Sequence, residues 1–362
     1  MVVKVIESIS QVTLDWLTTI LLQSRALEKG AVGGFEIIAT QERELSSNAS
    51  LRLTYKAGSS GELPERLFLK MVNMNYDNDE PLLSSEVAYY TRDYQGVVGV
   101  PIPRCYQAAL SEDLQRYHIL MDDLSQTHIG ASKKPFTLEH GLALAEGLAV
   151  MHAHWWGEDR LRQGGKTIPS PAVIERFVGI AHPGAEYILK KYSDELTPDW
   201  SGMIRDIYER HPQVLIERTR NPNGFTLIHG DAGPWNIFVP IEGDRPVYLI
   251  DRAPFDWSLT NWLGIYDLAY LMITGLGVDT RRNLEQPLLQ RYHACLVENG
   301  VDNYSWEQIY EDYRLMATMG VYIATEWCRG GGNQYKDIWM PMLYQALTAV
   351  DDLECSKLWR PE

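Results

Sequence analysis

Apolar and polar positions recur along this chain with two different periods. Residues 11–29 place Leu14, Leu17, Leu21 and Leu22 at helical spacing, with Gly30 following as a stop, which predicts a first helix. Strand patterns follow. Residues 35–39 (FEIIA) form a short apolar run, and 51–56 (LRLTYK) alternate cleanly, one face buried and one wet. Residues 66–72 (RLFLKMV) and 117–121 (YHILM) read as two more strands. Residues 81–95 predict a helix capped by Ser84 or Ser85. Beyond residue 137 the period is mostly helical: 137–153, capped by Thr137 with Leu138, Leu142, Ala145, Ala149 and His152 on one face, then 171–219, 283–299, 305–328 and 335–356. The exception is 225–250. There three short apolar runs, 225–228, 237–239 and 247–250, are separated by polar residues and by a turn at Gly243 and Pro246.

The exception carries the candidate chemistry. Asp231, Asn236 and Asp251 fall at the ends of the apolar runs. Mg2+ takes hard oxygen ligands, usually only a few of them from protein, and a free carboxylate can accept the proton of an attacking hydroxyl. His229-Gly230-Asp231, four residues and then Asn236 match the spacing of the protein-kinase catalytic loop, with Gly in place of Arg. An ordinary polar hairpin accounts for the alternation but not for that spacing followed by a run ending in Asp. Asp256 is a rival for the metal role, but it follows Pro254 in a loop, whereas Asp251 directly ends a predicted strand.

The segments HGDAGPWN (229–236), YLID (248–251) and YDLAY (266–270) resemble the aminoglycoside phosphotransferase and choline kinase superfamily, with the ecdysteroid-kinase-like subgroup as the nearest likeness. The resemblance covers most of the chain, is specific at 225–272 and is weaker at 35–90. It implies an α+β, protein-kinase-like two-lobed fold: a small β-rich nucleotide-binding lobe over 1–122 and a large, mainly helical catalytic and acceptor-binding lobe over 123–362. It further implies a kinase dependent on ATP and Mg2+, acting on a hydroxyl of a small-molecule acceptor. In that frame Asp231 is the catalytic residue, and Asn236 and Asp251 hold the metal. Asp267 braces the catalytic loop through backbone hydrogen bonds.

Lys70 alternates onto the same strand face as Phe68 and Val72, where an ammonium is costly unless it meets an anion. The resemblance supplies ATP phosphate as that anion, with Glu86 on the next helix as orienting partner; Glu86 also reads simply as a first-turn helix acid, and Glu80 is the alternative partner. Residues 41–50 are the turn expected to cover the phosphates. They contain Ser46, Ser47 and Asn48 but no glycine, so hydroxyls and backbone N–H groups would replace the usual Gly-rich grip. Met121, Asp122, Asp123 and Leu124 fall at the hinge, where backbone groups meet the adenine edge. Trp235, Trp257, Trp262 and Trp327 are candidates to line the acceptor pocket.

Two rival readings persist. A protein kinase is disfavoured by HGD in place of HRD and by the lack of an APE segment after Asp251. A non-catalytic nucleotide-binding protein of the same fold is disfavoured by the presence of Lys70, Asp231, Asn236 and Asp251 together.

Composition narrows the classes further. At 362 residues the chain is long enough for two lobes. A net charge of -15 argues against broad nucleic-acid binding, which needs a basic face. The four cysteines, Cys105, Cys295, Cys328 and Cys355, form no C-x-x-C. Lys4 and Glu7 interrupt the N-terminal apolar run, and no stretch of about 18 apolar residues occurs. No membrane partner and a cytoplasmic location are therefore expected. Gly164-Gly165-Lys166-Thr167 mimics the end of a P-loop, but Arg160 stands where its first glycine belongs.

Overall fold

The computed structural model describes residues 4–43, 45–75, 85–331 and 335–360. In chain order the first elements are α1 (Leu14–Gln23), β1 (Leu27–Lys29), β2 (Val32–Glu42), β3 (Ser46–Tyr55), β4 (Ser60–Gly61) and β5 (Arg66–Asn73). Next come α2 (Ser85–Ala88), which continues as a π-helical turn over Tyr89–Asp93, then β6 (Cys105–Ser111), β7 (Arg116–Asp122) and β8 (His128–Gly130). Four helices follow: α3 (Leu138–His154), α4 (Glu158–Gln163), α5 (Pro171–Lys191) and α6 (Pro198–Arg218). The next segment holds β9 (Phe225–Leu227), β10 (Ile237–Pro240), β11 (Tyr248–Leu249) and β12 (Asn261–Leu263). The chain closes with α7 (Ile265–Tyr270), α8 (Val278–Glu298), α9 (Trp306–Glu326) and α10 (Lys336–Asp352).

Two compact units emerge. One comprises Met1–Gly96, Ile102–Ile129 and Pro240–Asp256, the other Val97–Pro101, Gly130–Val239 and Trp257–Glu362. Each unit gathers several stretches of chain, and Asp251 belongs to the same unit as Lys70.

The first unit is built on an antiparallel five-stranded sheet in the order β2-β3-β5-β7-β6. Period-2 alternation sorts its side chains by face. Leu51, Leu53, Leu67, Leu69 and Met71 pack with Leu17, Ile20 and Leu21 of α1 into one core cluster. Val72, Ile119 and Met121 form a second cluster, joined by Phe68 and Val87. α1 starts where the Thr13 side chain accepts the backbone N–H of Trp16 at 3.1 Å, and Arg25 takes a left-handed φ of 60° just after it ends. Its inward face is Leu17, Ile20 and Leu21, while Leu14 and Leu22 are exposed.

The second unit is helical. Close approaches depend on small residues. Gly141 of α3 admits Leu288 of α8, and Gly184 of α5 lies against the Thr325 carbonyl of α9 so closely that a Cβ would overlap it. The buried face of α3 is Leu144, Ala145, Leu148, Ala149, Met151 and His152. Leu138, expected on that face, is exposed because it opens the helix. β9 pairs antiparallel with β12, Phe225 opposite Leu263. This short ribbon is buried and delivers the chain to His229.

Candidate active site

In the helical unit the loop after β9 is held from beneath. Gly230 takes φ 85°, which a residue without a Cβ adopts freely. Asp267, in the first turn of α7, accepts the backbone N–H groups of His229 at 2.7 Å and Gly230 at 2.9 Å. The same carboxylate accepts His152 Nε2 at 3.1 Å, and His152 Nδ1 lies 2.9 Å from the Tyr292 hydroxyl. Burial works to raise the Asp267 carboxyl, but the bond from His152 and the charges around it hold it below the usual carboxylate value. A fully buried anion with this many donors is the condition under which burial is tolerated. His152 thus braces the loop.

Asp231 emerges from that loop. Asn236 Nδ2 donates to both the main-chain oxygen and Oδ2 of Asp231, each at 2.9 Å. Asn236 is itself pinned by its backbone N–H on the Gly233 carbonyl at 2.9 Å. The Tyr270 hydroxyl is a further hydrogen-bond partner of the Asp231 carboxylate. Burial and that carboxylate push the Tyr270 phenol well above its ordinary value, so it stays a donor. Trp235 meets the Tyr270 ring edge-on, with centroids 6.2 Å apart. The amide nitrogen of Asn236 is on Asp231, and its Oδ1 is an acceptor.

In the sheet unit three predicted residues meet. Lys70 Nζ lies 2.8 Å from both Oε1 and Oε2 of Glu86 and 2.6 Å from Asp251 Oδ1. Tyr117 donates its hydroxyl to Glu86 Oε2 at 2.8 Å. Burial alone would lower the Lys70 ammonium, but two carboxylates at contact raise it above its ordinary value, so it stays charged. Burial raises Glu86 in turn, only partly offset by Lys70. Asp251 is 40% exposed and adopts φ 56°, unusual for a residue with a Cβ. It lies two residues beyond β11 rather than ending a strand. In the sheet unit Asp251 offers a carboxylate and in the helical unit Asn236 offers a carboxamide oxygen; each is a hard donor of the kind magnesium takes, where zinc favours nitrogen and sulfur.

The other nucleotide-site candidates sit on strands. The expected ten-residue turn is much shorter: β2 runs to Glu42 and β3 starts at Ser46. Gln41 pairs with Asn48 and Glu42 with Ser47, and Ser47 Oγ bonds the Glu42 carboxylate. Asn48 lies opposite Lys70 on the neighbouring strand, and its buried Oδ1 has no hydrogen-bond partner. At the expected hinge, Met121 and Asp122 end β7, paired with Phe68 and Leu67. Asp122 Oδ1 accepts the Tyr106 hydroxyl at 2.5 Å, and Asp123 Oδ1 caps the turn over Leu124–Gln126 by accepting the Ser125 N–H at 2.9 Å. Ser84 and Glu80 lie outside the described residues.

Of the pocket candidates, Trp262 is core: it is fully buried, with Nε1 on the sulfurs of Met316 and Met319. Trp257 packs on Phe177 and under the Arg329 guanidinium, and Trp327 meets Tyr335. Tyr117 and Tyr270 were not foreseen. For Tyr117 the signal was available, since alternation puts it on the face of Ile119 and Met121, opposite Val72.

No protein-family model and no curated protein matches the chain. Solved structures do. Choline kinase from Cryptosporidium parvum superposes with a TM-score of 0.55 at 10% identity, over 90% of this chain and 91% of its own. A Ralstonia eutropha protein provisionally named an aminoglycoside phosphotransferase gives 0.51 at 13% identity, over 94% and 99%. Ethanolamine kinase from Plasmodium vivax gives 0.50 at 10% identity, over 99% and 92%. The chain has the protein-kinase-like fold of these small-molecule kinases. At such identities the likeness is one of fold, and function must be argued from the site.

Proposed function

We propose that this chain is an ATP- and magnesium-dependent phosphotransferase acting on a hydroxyl of a small molecule. The observation that carries the reading is the contact of Lys70 Nζ with both Glu86 and Asp251. A buried ammonium between two carboxylates is an expensive arrangement. It is the constellation that phosphoryl transfer uses to hold phosphate and metal. The names of two fold neighbours, an ethanolamine kinase and a choline kinase, support the same class.

In this reading Lys70 binds the nucleotide phosphates and Glu86 orients Lys70, with Tyr117 fixing Glu86. Asn48, on the strand beside Lys70, is the polar side chain nearest in register. Backbone groups of Met121 to Leu124 meet the adenine edge. Asn236 and Asp251 would hold magnesium, which supplies neutralisation of phosphate charge when bound. Asp231 orients the acceptor hydroxyl. As the acceptor oxygen bonds to the γ-phosphorus, the bond to the departing ADP oxygen breaks and the hydroxyl proton passes to Asp231. Tyr270 and Asn236 keep that carboxylate in one orientation. Catalysis is then mostly positioning and charge stabilisation.

The test is an ATP-consumption assay with Mg2+ over a metabolite panel of alcohols, amino alcohols, sugars and aminoglycosides, alongside thermal stabilisation by nucleotide. Magnesium-dependent stabilisation and phosphorylation of one acceptor class are expected. Stabilisation by ATP with no turnover on any acceptor would favour a non-catalytic nucleotide-binding protein. Absence of both would end the proposal.

A further inference from the structure

Asp251 stands in a strained backbone conformation, and the residue after it is an unusual one to bury. Arg252 is 3% exposed. Its Nη1 faces Asp93 Oδ2 at 3.6 Å, and its guanidinium lies over the Tyr89 ring at 5.5 Å. Asp93 is also buried, and its Oδ1 accepts Arg92 Nε at 3.0 Å and Nη2 at 2.9 Å. One residue further, Ser85 Oγ donates to the Ala253 carbonyl at 3.3 Å. Asp93, Tyr89 and Ser85 belong to the same helical segment as Glu86. The contacts therefore close a ring within one compact unit: Lys70 to Glu86, along the helix to Asp93, across to Arg252, and back through Asp251 to Lys70.

A buried ion pair is weak evidence for stability, since desolvation takes back most of the attraction. A left-handed conformation at a residue with a Cβ is unfavourable and persists only where its surroundings over-determine it. Each feature is unexplained alone, and the two stand at adjacent residues that face one helical segment, Asp251 through Lys70 and Glu86 and Arg252 through Asp93. We propose that Arg252 and Asp93 are a positioning pair that keeps Asp251 left-handed, with its carboxylate on the same ammonium as Glu86. Neither residue touches the reacting groups. They set where Asp251 points relative to Glu86, so the two acids answer to Lys70 as one unit. Only the functional consequence rests on the proposed phosphotransferase reading; the positioning itself does not.

The test is Arg252→Met, which keeps most of the buried volume and leaves Asp93 paired with Arg92. A crystal structure of the variant without nucleotide reads the pair directly. Asp251 is expected to leave positive φ and its carboxylate to leave Lys70. Asp251 retained at positive φ and in contact with Lys70 overturns the proposal. Should Arg252→Met fail to fold, Asp93→Asn carries the same measurement, because Arg92 still finds Oδ1. The second arm measures the Mg2+ concentration for half-maximal ATP turnover, expected to rise about tenfold or more, as for loss of a group that orients a metal ligand. A lowered melting temperature with an unchanged Mg2+ requirement would reduce the pair to packing. If the parent protein turns over no ATP, the phosphotransferase reading fails, while the position of Asp251 in the variant still decides the pairing.

Discussion

Asp267 Oδ2 accepts the backbone N–H of His229 at 2.7 Å while Oδ1 accepts that of Gly230 at 2.9 Å, so one buried carboxylate fixes two successive peptide groups just before Asp231. Asp267→Asn replaces one acceptor oxygen by an NH2 group that faces a donor. A buried donor left unmatched costs about 1–3 kcal/mol, so urea unfolding should show a loss of that order. Turnover should fall with it, since the catalytic loop loses its anchor. The carboxyl is held below its usual value, so its stabilisation is present above the unfolded value near 3.8 and is lost only as pH falls through the lower folded value. An Asp267→Asn protein as stable as the parent at pH 7 would remove this role.

Asp231 is the second test. Its carboxylate takes the Asn236 amide at 2.9 Å and the Tyr270 hydroxyl. Asp231→Ala should leave nucleotide affinity within a few-fold while turnover drops by about 10²–10⁴. Tyr270→Phe should lower turnover more mildly, because the carboxylate keeps its charge but loses a donor that orients it. Near-native turnover in Asp231→Ala would exclude it from the mechanism.

Lys70 and its acids form the third. Lys70→Ala strands two carboxylates, one of them buried, and removing one partner of such a pair costs roughly 3–5 kcal/mol. ATP use and turnover should weaken together. Glu86→Ala should give a milder form of the same defect, and the double variant should be little worse than Lys70→Ala, as for residues that act as a unit. Additive losses in the cycle would show that the two do not cooperate. The third member, Asp251, adds a distinction: Asp251→Asn should raise the Mg2+ requirement strongly and Asp256→Asn should not.

Much of this geometry was legible in the sequence, for identifiable reasons. Alternation alone put Lys70 on the face of Phe68 and Val72, and helix periodicity put Glu86 within a short connection of it. The hydrogen bonds to Asp267 were expected from the resemblance of 266–270 to the kinase superfamily, not from any local pattern. The Lys70–Asp251 contact joins residues 181 apart in the chain, and no local pattern encodes it. Arg252–Asp93 is hidden for the same reason, since a charged residue next to a motif reads as solvated. The turn expected over 41–50 is longer than the gap between β2 and β3, because Asn48 is a poor strand former by propensity and Ser46 and Ser47 are not strong ones. Pairing on both sides, with β2 and with β5, outweighs that preference. Trp262 shows the limit of counting aromatics: only the Met316 and Met319 sulfurs above it reveal a core residue.

The last prediction concerns acid. His118 is fully buried on β7; its Nδ1 accepts the Ile6 backbone N–H at 3.0 Å, so Nε2 carries the proton and donates to Gln107 Oε1 at 2.9 Å. A second proton would have to sit on Nδ1, where a donor already points. Burial accordingly lowers this imidazole to about 4, and it lowers His211, in the helical unit, to about 3. The unfolded chain takes up these protons near 6.5, the folded chain only far below, so the stability that neutral histidine contributes is full above about 6.5 and drains away as pH falls toward 4. Each histidine contributes a slope of up to about 1.4 kcal/mol per pH unit in that window. Urea unfolding at pH 7 and pH 5 should show the loss, and His118→Gln should remove one proton's share of it whatever its effect at pH 7. A pH 5 to 7 difference identical in parent and variant would show that His118 is protonated in the fold, which its contact with Ile6 does not allow.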